Sequence, residues 1–174
     1  MNKKIRSNSG ITLATLVITI IVMLILATVS INVGNDLIKK SKVQTLETNM
    51  LTIQAKAKSY AEEIESKVWA YSDSKKETER DKEFTDRKMT PSATVSNEAL
   101  AQVNNEIKEE PIAYSVGEEA LIAMGLDEIQ DEQYIVVFKK TDYKQMDVIY
   151  PDGVTYDGQT YYALSALQEK LQNE

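Results

Sequence analysis

The sequence predicts an α+β protein. One long N-terminal helix, with a transmembrane half and an amphipathic half, packs on a small antiparallel β-sheet head. Three observations carry this prediction. No charged side chain lies between Arg6 and Asp36, and Lys3, Lys4 and Arg6 sit just ahead of that run. Apolar residues then recur at alternating steps of three and four from Val43 to Ile64. After Gln133, β-branched and aromatic runs alternate with Asp-Gly turns.

Residues 1–10 form a basic leader, and 11–33 are nearly all Ile, Leu, Val, Ala, Thr and Met. About 20 consecutive apolar residues span a bilayer as a helix, whereas a signal-peptide core is about 7–15 residues long. The segment is therefore expected to persist as a single-pass anchor. The flanking Lys3, Lys4 and Arg6 are expected to hold the N-terminus in the cytoplasm and the head outside. Residues 34–72 continue the helix as an amphipathic stretch. Val43, Leu46, Met50, Ile53, Ala57, Tyr60 and Ile64 make its apolar stripe, opposite Lys42, Glu47, Lys56, Lys58 and Glu62. With no proline from Ile11 to Tyr71, the helix would be about 90 Å long at ~1.5 Å per residue. The stripe suits either a coiled-coil seam or a face covered by the sheet. Ala57 and Tyr60 make a poor seam, so packing on the sheet is the expectation. Gly34, between Asn32 and Asn35, is either a hinge or an interface residue.

The extracytoplasmic α+β head is expected over 73–174. Residues 73–96 are dense in charge and poor in large apolar side chains, and they read as a mobile charged loop. A short helix follows through Leu100, Val103 and Ile107. A second begins at a capping box of Ser115 and Glu118 and is closed by Gly125. Strands are expected at 134–140, at 145–153 ending in a Pro-Asp-Gly turn, and at 154–164 folded about Asp157-Gly158. Ser165, with Gln168, is expected to cap a terminal helix. A meander of three or four strands would face the long helix on one side and water on the other.

Chemistry is narrowly bounded. The chain has no cysteine and no histidine, which removes disulfides, thiolate nucleophiles and the commonest general base and metal ligand. No paired-carboxylate constellation or Gly-rich phosphate loop stands out, so the chain is not expected to be an enzyme or to hold a cofactor. Its formal charge of −7 argues against nucleic acid as a partner. Asp152 and Asp157, in "PDGVTYDG", are weak candidates for calcium, although Asp-Gly is ordinary turn chemistry and the spacing is not that of an EF-hand. Tyr143, Tyr150, Tyr156, Tyr161 and Tyr162 suit either an adhesive surface or cross-strand packing, with packing favoured.

The order of basic leader, Ser9-Gly10 and the apolar "ITLATLVITIIVMLILATVSI" at 11–31 resembles the type III signal of type IV pilins and type II secretion pseudopilins. The resemblance implies cleavage between Gly10 and Ile11 by a prepilin peptidase, N-methylation of Ile11, and retention of the apolar helix. It further implies a structural subunit of a pilus or pseudopilus whose partners are the membrane, the peptidase and other pilin-like subunits, exposed on the cell surface after assembly. Ala14, Thr15, Thr19 and Ala27 would mediate helix contacts. Thr15 stands at the fifth position after the cut, where the family usually carries a glutamate; this departure fits a minor subunit or another assembly register. Two alternatives are an unprocessed signal-anchored surface protein and a coiled-coil scaffold.

Overall fold

The computed structural model describes residues 13–91, 94–129 and 133–173, with backbone alone for 13–15 and 25–36. The chain is α+β. In order, the elements are α1 (Leu13–Val68), α2 (Asp73–Asp86), β1 (Thr90–Pro91), α3 (Asn97–Gln102), β2 (Pro111–Val116), α4 (Glu118–Ala123), β3 (Tyr134–Lys139), β4 (Asp142–Tyr156), β5 (Gln159–Ala163) and α5 (Leu164–Gln172). The five strands form one antiparallel sheet in sequential order, β1-β2-β3-β4-β5. Two compact units emerge, Met1–Ser41 and Lys42–Glu174.

In the second unit, the apolar stripe of α1 becomes core. Met50, Ile53, Ala57 and Ile64 are wholly buried, Val43, Leu46, Ala61 and Val68 nearly so. They join Tyr134, Val136 and Phe138 of β3 and Val148 of β4 in one cluster. At about 1.5–3 kcal/mol for burying each large apolar side chain, this stripe is a principal stabiliser of the head. Because it is spent on the sheet of its own chain, it offers no seam for a coiled coil. Tyr60 sits at the stripe's edge and donates its hydroxyl to the Ala123 carbonyl at 3.0 Å, tying α1 to α4. Gly34 lies within α1, whose helix ends at Val68.

The opposite face of the sheet is covered as well. Ile135 and Val137 of β3, Ile149 of β4 and Ala163 of β5 pack with Ala99, Val103 and Ile107. Burial on both faces explains the unbroken apolar run Tyr134–Phe138, since a strand with one wet face alternates instead. The expected water-facing side is thus closed by α3 and the turn after it. That helix ends at Gln102, earlier than the apolar spacing suggests; Val103 is extended, and Ile107 reaches the core from a turn. Ser96 caps α3 by accepting the Ala99 amide at 3.1 Å.

Several local expectations are corrected. The charged stretch expected to be a mobile loop contains the 14-residue helix α2. Phe84 anchors it, fully buried among Tyr114, Phe138 and Tyr143 at centroid distances of 4.5, 5.2 and 6.0 Å. Ser115 belongs to β2, which the sequence reading missed, and the residue before α4 is Gly117 without a side-chain cap. The Pro-Asp-Gly segment does not reverse the chain. β4 runs through it, shifting register against β5 between Ile149 and Val154. Gly153 makes this bulge work: at φ +65° it relieves the extra residue without turning the strand. A Cβ there would stand 2.7 Å from the Tyr162 ring and 2.8 Å from the Thr160 methyl. The Asp157-Gly158 hairpin forms as expected, both residues at positive φ, 51° and 78°.

Among the described residues no helix is long and apolar enough to cross a membrane. This overturns the expected location as a single-pass membrane protein with the N-terminus in the cytoplasm and the head outside.

Candidate assembly surface and the polar sites of the head

Within the first unit, every described side chain from Leu16 to Leu24 is exposed. Ile18, Met23 and Leu24 show 61, 65 and 62% of their surfaces. A helix of β-branched and aliphatic residues that is apolar around its whole circumference and exposed on all sides is an unusual object in water; such surfaces mark interaction sites. Thr19 is on this stretch and exposed. Ala14 and Thr15 are in the α1 backbone, and Ala27 likewise. Gly10 and Ile11, the expected cleavage pair, lie outside the described residues.

In the head, α2 is clamped to the end of α1 by charge. Arg80 binds Glu65 through two nitrogens, the Nη2 bond being 2.9 Å. Arg87 reaches Glu63 at 2.8 Å and Glu83 at 2.6 Å, and Lys67 joins the same two carboxylates at 3.1 and 3.0 Å. Hydrogen bonds from Lys67 and Arg87 hold Glu63 below the usual carboxylate range, and those from Arg87 and Lys67 do the same to Glu83. The Arg80 guanidinium also lies over the Tyr143 ring, 4.7 Å from its centroid. Beside it opens a cleft of about 480 Å³ lined by Asp73, Lys76, Glu77, Arg80, Lys140 and Tyr143, among others. Its cations are matched by acids, Lys76 with Asp73 and Lys140 with Glu77. The cleft therefore presents no net charge of one sign to a ligand.

Among the described residues, Asp147 of β4 is the buried acidic residue of the core, 1% exposed. Its carboxylate accepts the Val148 amide at 2.9 Å, the Ser165 amide at 3.3 Å and the Ser165 hydroxyl. Burial pushes its pKa up, and the hydrogen bonds from Ser165, Val148 and Asn104 oppose that shift. Ser165, expected as a helix cap, instead lies inside α5 and ties that helix to β4; the residue before α5 is Ala163. The same corner holds Gln102, whose side chain meets the free edge of β5. Its Nε2 donates to the Thr160 carbonyl at 2.9 Å and its Oε1 accepts the Tyr162 amide at 2.8 Å. These pairs join residues about 60 positions apart, a separation at which no sequence motif operates.

The calcium candidates do not come together. Asp157 occupies the β4–β5 turn and pairs with Lys170 at 2.8 Å, which lowers its pKa. Asp152 is exposed in the β4 bulge. Among the described residues no group of three or more acids forms a metal cluster. The tyrosines are mostly core: Tyr143 and Tyr161 are buried, and Tyr150, Tyr156 and Tyr162 are partly buried against the two clusters. Compared with protein-family models, curated proteins and solved structures, the chain matches none.

Proposed function

We propose that this chain is a structural subunit of a type IV pilus-like or secretion-pseudopilus filament, matured between Gly10 and Ile11 and assembled through its N-terminal helix. The observation that carries the reading is the exposed apolar surface from Leu16 to Leu24, directly downstream of the Ser9-Gly10 signal. A surface of that composition is covered when copies of the helix pack side by side, and Thr19 and the small residues Ala14 and Ala27 permit close approach. The division of the second unit supports the same reading. Its stripe on α1 is sequestered by the chain's own sheet, so head and assembly helix draw on different residues. Thr15, in place of the usual glutamate, suits a minor subunit better than one that polymerises alone.

The reading is tested on protein from its native host by intact mass and N-terminal sequencing. A chain beginning with N-methylated Ile11 is expected, and Gly10→Val should leave the leader attached. A mature protein that still starts at Met1 would remove the processing signal on which the filament reading stands.

A further inference from the structure

A hydroxyl carries one proton and donates one hydrogen bond at a time, although it accepts others. The Ser165 hydroxyl has two acceptors in reach. One is the Asp147 carboxylate, met at Oδ2; the other is the main-chain carbonyl of Gln102, at 3.3 Å. Asp147 stands on β4 opposite Val137 of β3 and two residues before Ile149, so it lies on the sheet face that α3 covers. Gln102 is the last residue of α3, and Ser165 is the second of α5. A single hydroxyl thus sits where one strand and two helices meet.

The other contacts of Asp147 decide how the protons are shared. Its Oδ1 accepts the Val148 and Ser165 amides at 2.9 and 3.3 Å, whether the acid is ionised or not. Oδ2 behaves differently in the two states. When the carboxylate is ionised it draws the Ser165 proton, because a hydrogen bond to a charged acceptor is roughly twice as strong as a neutral one. The Gln102 carbonyl then loses that donor. When the carboxyl is protonated, Oδ2–H donates to Ser165 Oγ, and the Ser165 proton turns to Gln102. The protonated state alone completes both contacts. Burial of Asp147 favours that state, and the bonds from Ser165, Val148 and Asn104 oppose it. The charged groups facing this corner are Lys108, after α3, and Glu169 of α5; with Ser165 and Asn104 they line a polar cavity of about 340 Å³. Lys108 donates to the Ala101 carbonyl at 2.7 Å and to Asn105 at 3.0 Å. On the sheet side the neighbours are Val137 of β3 and Ala163 of β5, neither of which titrates.

We propose that Asp147, Ser165 and the Gln102 carbonyl form a proton-operated clasp, which fastens the end of α3 to α5 when Asp147 is protonated and slackens when it ionises. The Gln102 side chain carries the effect to β5, because its carboxamide bonds the Thr160 carbonyl and the Tyr162 amide. The clasp is complete below the ordinary carboxylate range and is lost as pH rises through the raised value of Asp147. It is a property of the head alone and does not depend on the filament reading.

The test is an NMR titration of the full chain from about pH 4, the ordinary carboxylate range, to about pH 8. It follows the carboxyl carbon of Asp147, the carbonyl carbon of Gln102 and exchange of the Tyr162 amide, corrected for its intrinsic rate. The Gln102 carbonyl should shift in the same step as the Asp147 carboxyl, and Tyr162 protection should fall by about fivefold, the worth of one hydrogen bond. Asp147→Asn still accepts the two amides and donates permanently to Ser165, so protection should hold its acid value throughout. Ser165→Ala breaks the relay: Gln102 and Tyr162 should keep their alkaline values while Asp147 still titrates. An Asp147 already ionised at the acid end, a Gln102 carbonyl or Tyr162 amide indifferent to its titration, or a step that survives in S165A would each overturn the proposal. The unsubstituted chain decides the matter if neither variant folds.

Discussion

Tyr114 and Tyr143 are buried side by side in the aromatic cluster around Phe84, yet their hydroxyls stand in different positions. Tyr114 donates to Asp81 of α2 at 2.5 Å, whereas the buried Tyr143 hydroxyl meets no group at good hydrogen-bonding geometry and has the Tyr114 hydroxyl as its polar neighbour. Burial raises the pKa of both, and for Tyr114 the carboxylate of Asp81 raises it further. Both phenols are therefore neutral at physiological pH, and each hydroxyl is weighed by its hydrogen bonds alone. Removing a partnered hydroxyl forfeits a bond to a charged group, about 1.5–3 kcal/mol; removing an unpartnered one relieves a desolvation cost. Tyr114→Phe should accordingly destabilise the protein by about 1.5 kcal/mol, while Tyr143→Phe should be neutral or stabilising by up to about 1 kcal/mol. Urea unfolding of the two variants checks this. A Y143F variant that loses as much as Y114F would mean that the Tyr143 hydroxyl is bonded in solution.

At the scale of elements, α2 is the piece held most by charge. Glu63 and Glu83 are depressed carboxylates, so the stability they lend is present above the ordinary carboxylate range and is lost as pH falls through their lowered pKa values. Asp147 has the opposite sign: its raised pKa favours the fold when protonated, and that contribution fades as pH rises through the raised value. Acidification should therefore loosen α2 before the β-sheet corner around Asp147. Amide exchange corrected for intrinsic rates, compared between 73–87 and 134–139, should show protection falling first in the former below the carboxylate range and in high salt. Simultaneous loss in both would show that Phe84 rather than the ion pairs governs α2. The same physics explains why α2 escaped the sequence reading. A helix with one buried apolar residue has no hydrophobic period, and its partners Glu63, Glu65 and Lys67 lie on a different element. The Val43–Val68 stripe, the β-branched run of β3 and the Asp157-Gly158 turn were legible because each is a local pattern with one geometric solution. Strand β2 and the unbroken β4 were not. The first depends on pairing with β3, the second on Gly153 meeting Tyr162 and Thr160 from across the sheet. Of the candidate sites, the Gly10-Ile11 pair is a matter of sequence alone, whereas the Gln102 bridge exists only in three dimensions.

For the whole molecule, the division of labour between the two units makes a separable prediction. The buried apolar residues begin at Val43, and among the described residues none before it contributes to the core of the head. In the first unit the described apolar side chains, Leu16 to Leu24 together with Leu37 and Ile38, lie outside that core and are exposed. A chain beginning at Lys42 should keep the entire stripe, both faces of the sheet and the α1–α2 ion pairs. It should unfold in one cooperative transition with a Tm within about 2–4 °C of the full chain, equivalent to less than about 1 kcal/mol for a domain of this size. Its sedimentation should be that of a monomer and independent of concentration, while on the proposed filament reading the full chain in detergent-free buffer should associate through the 16–24 surface. Loss of cooperative folding on truncation would place residues before Lys42 in the core of the head. Persistent association of the shortened chain would instead place a self-association surface in the head.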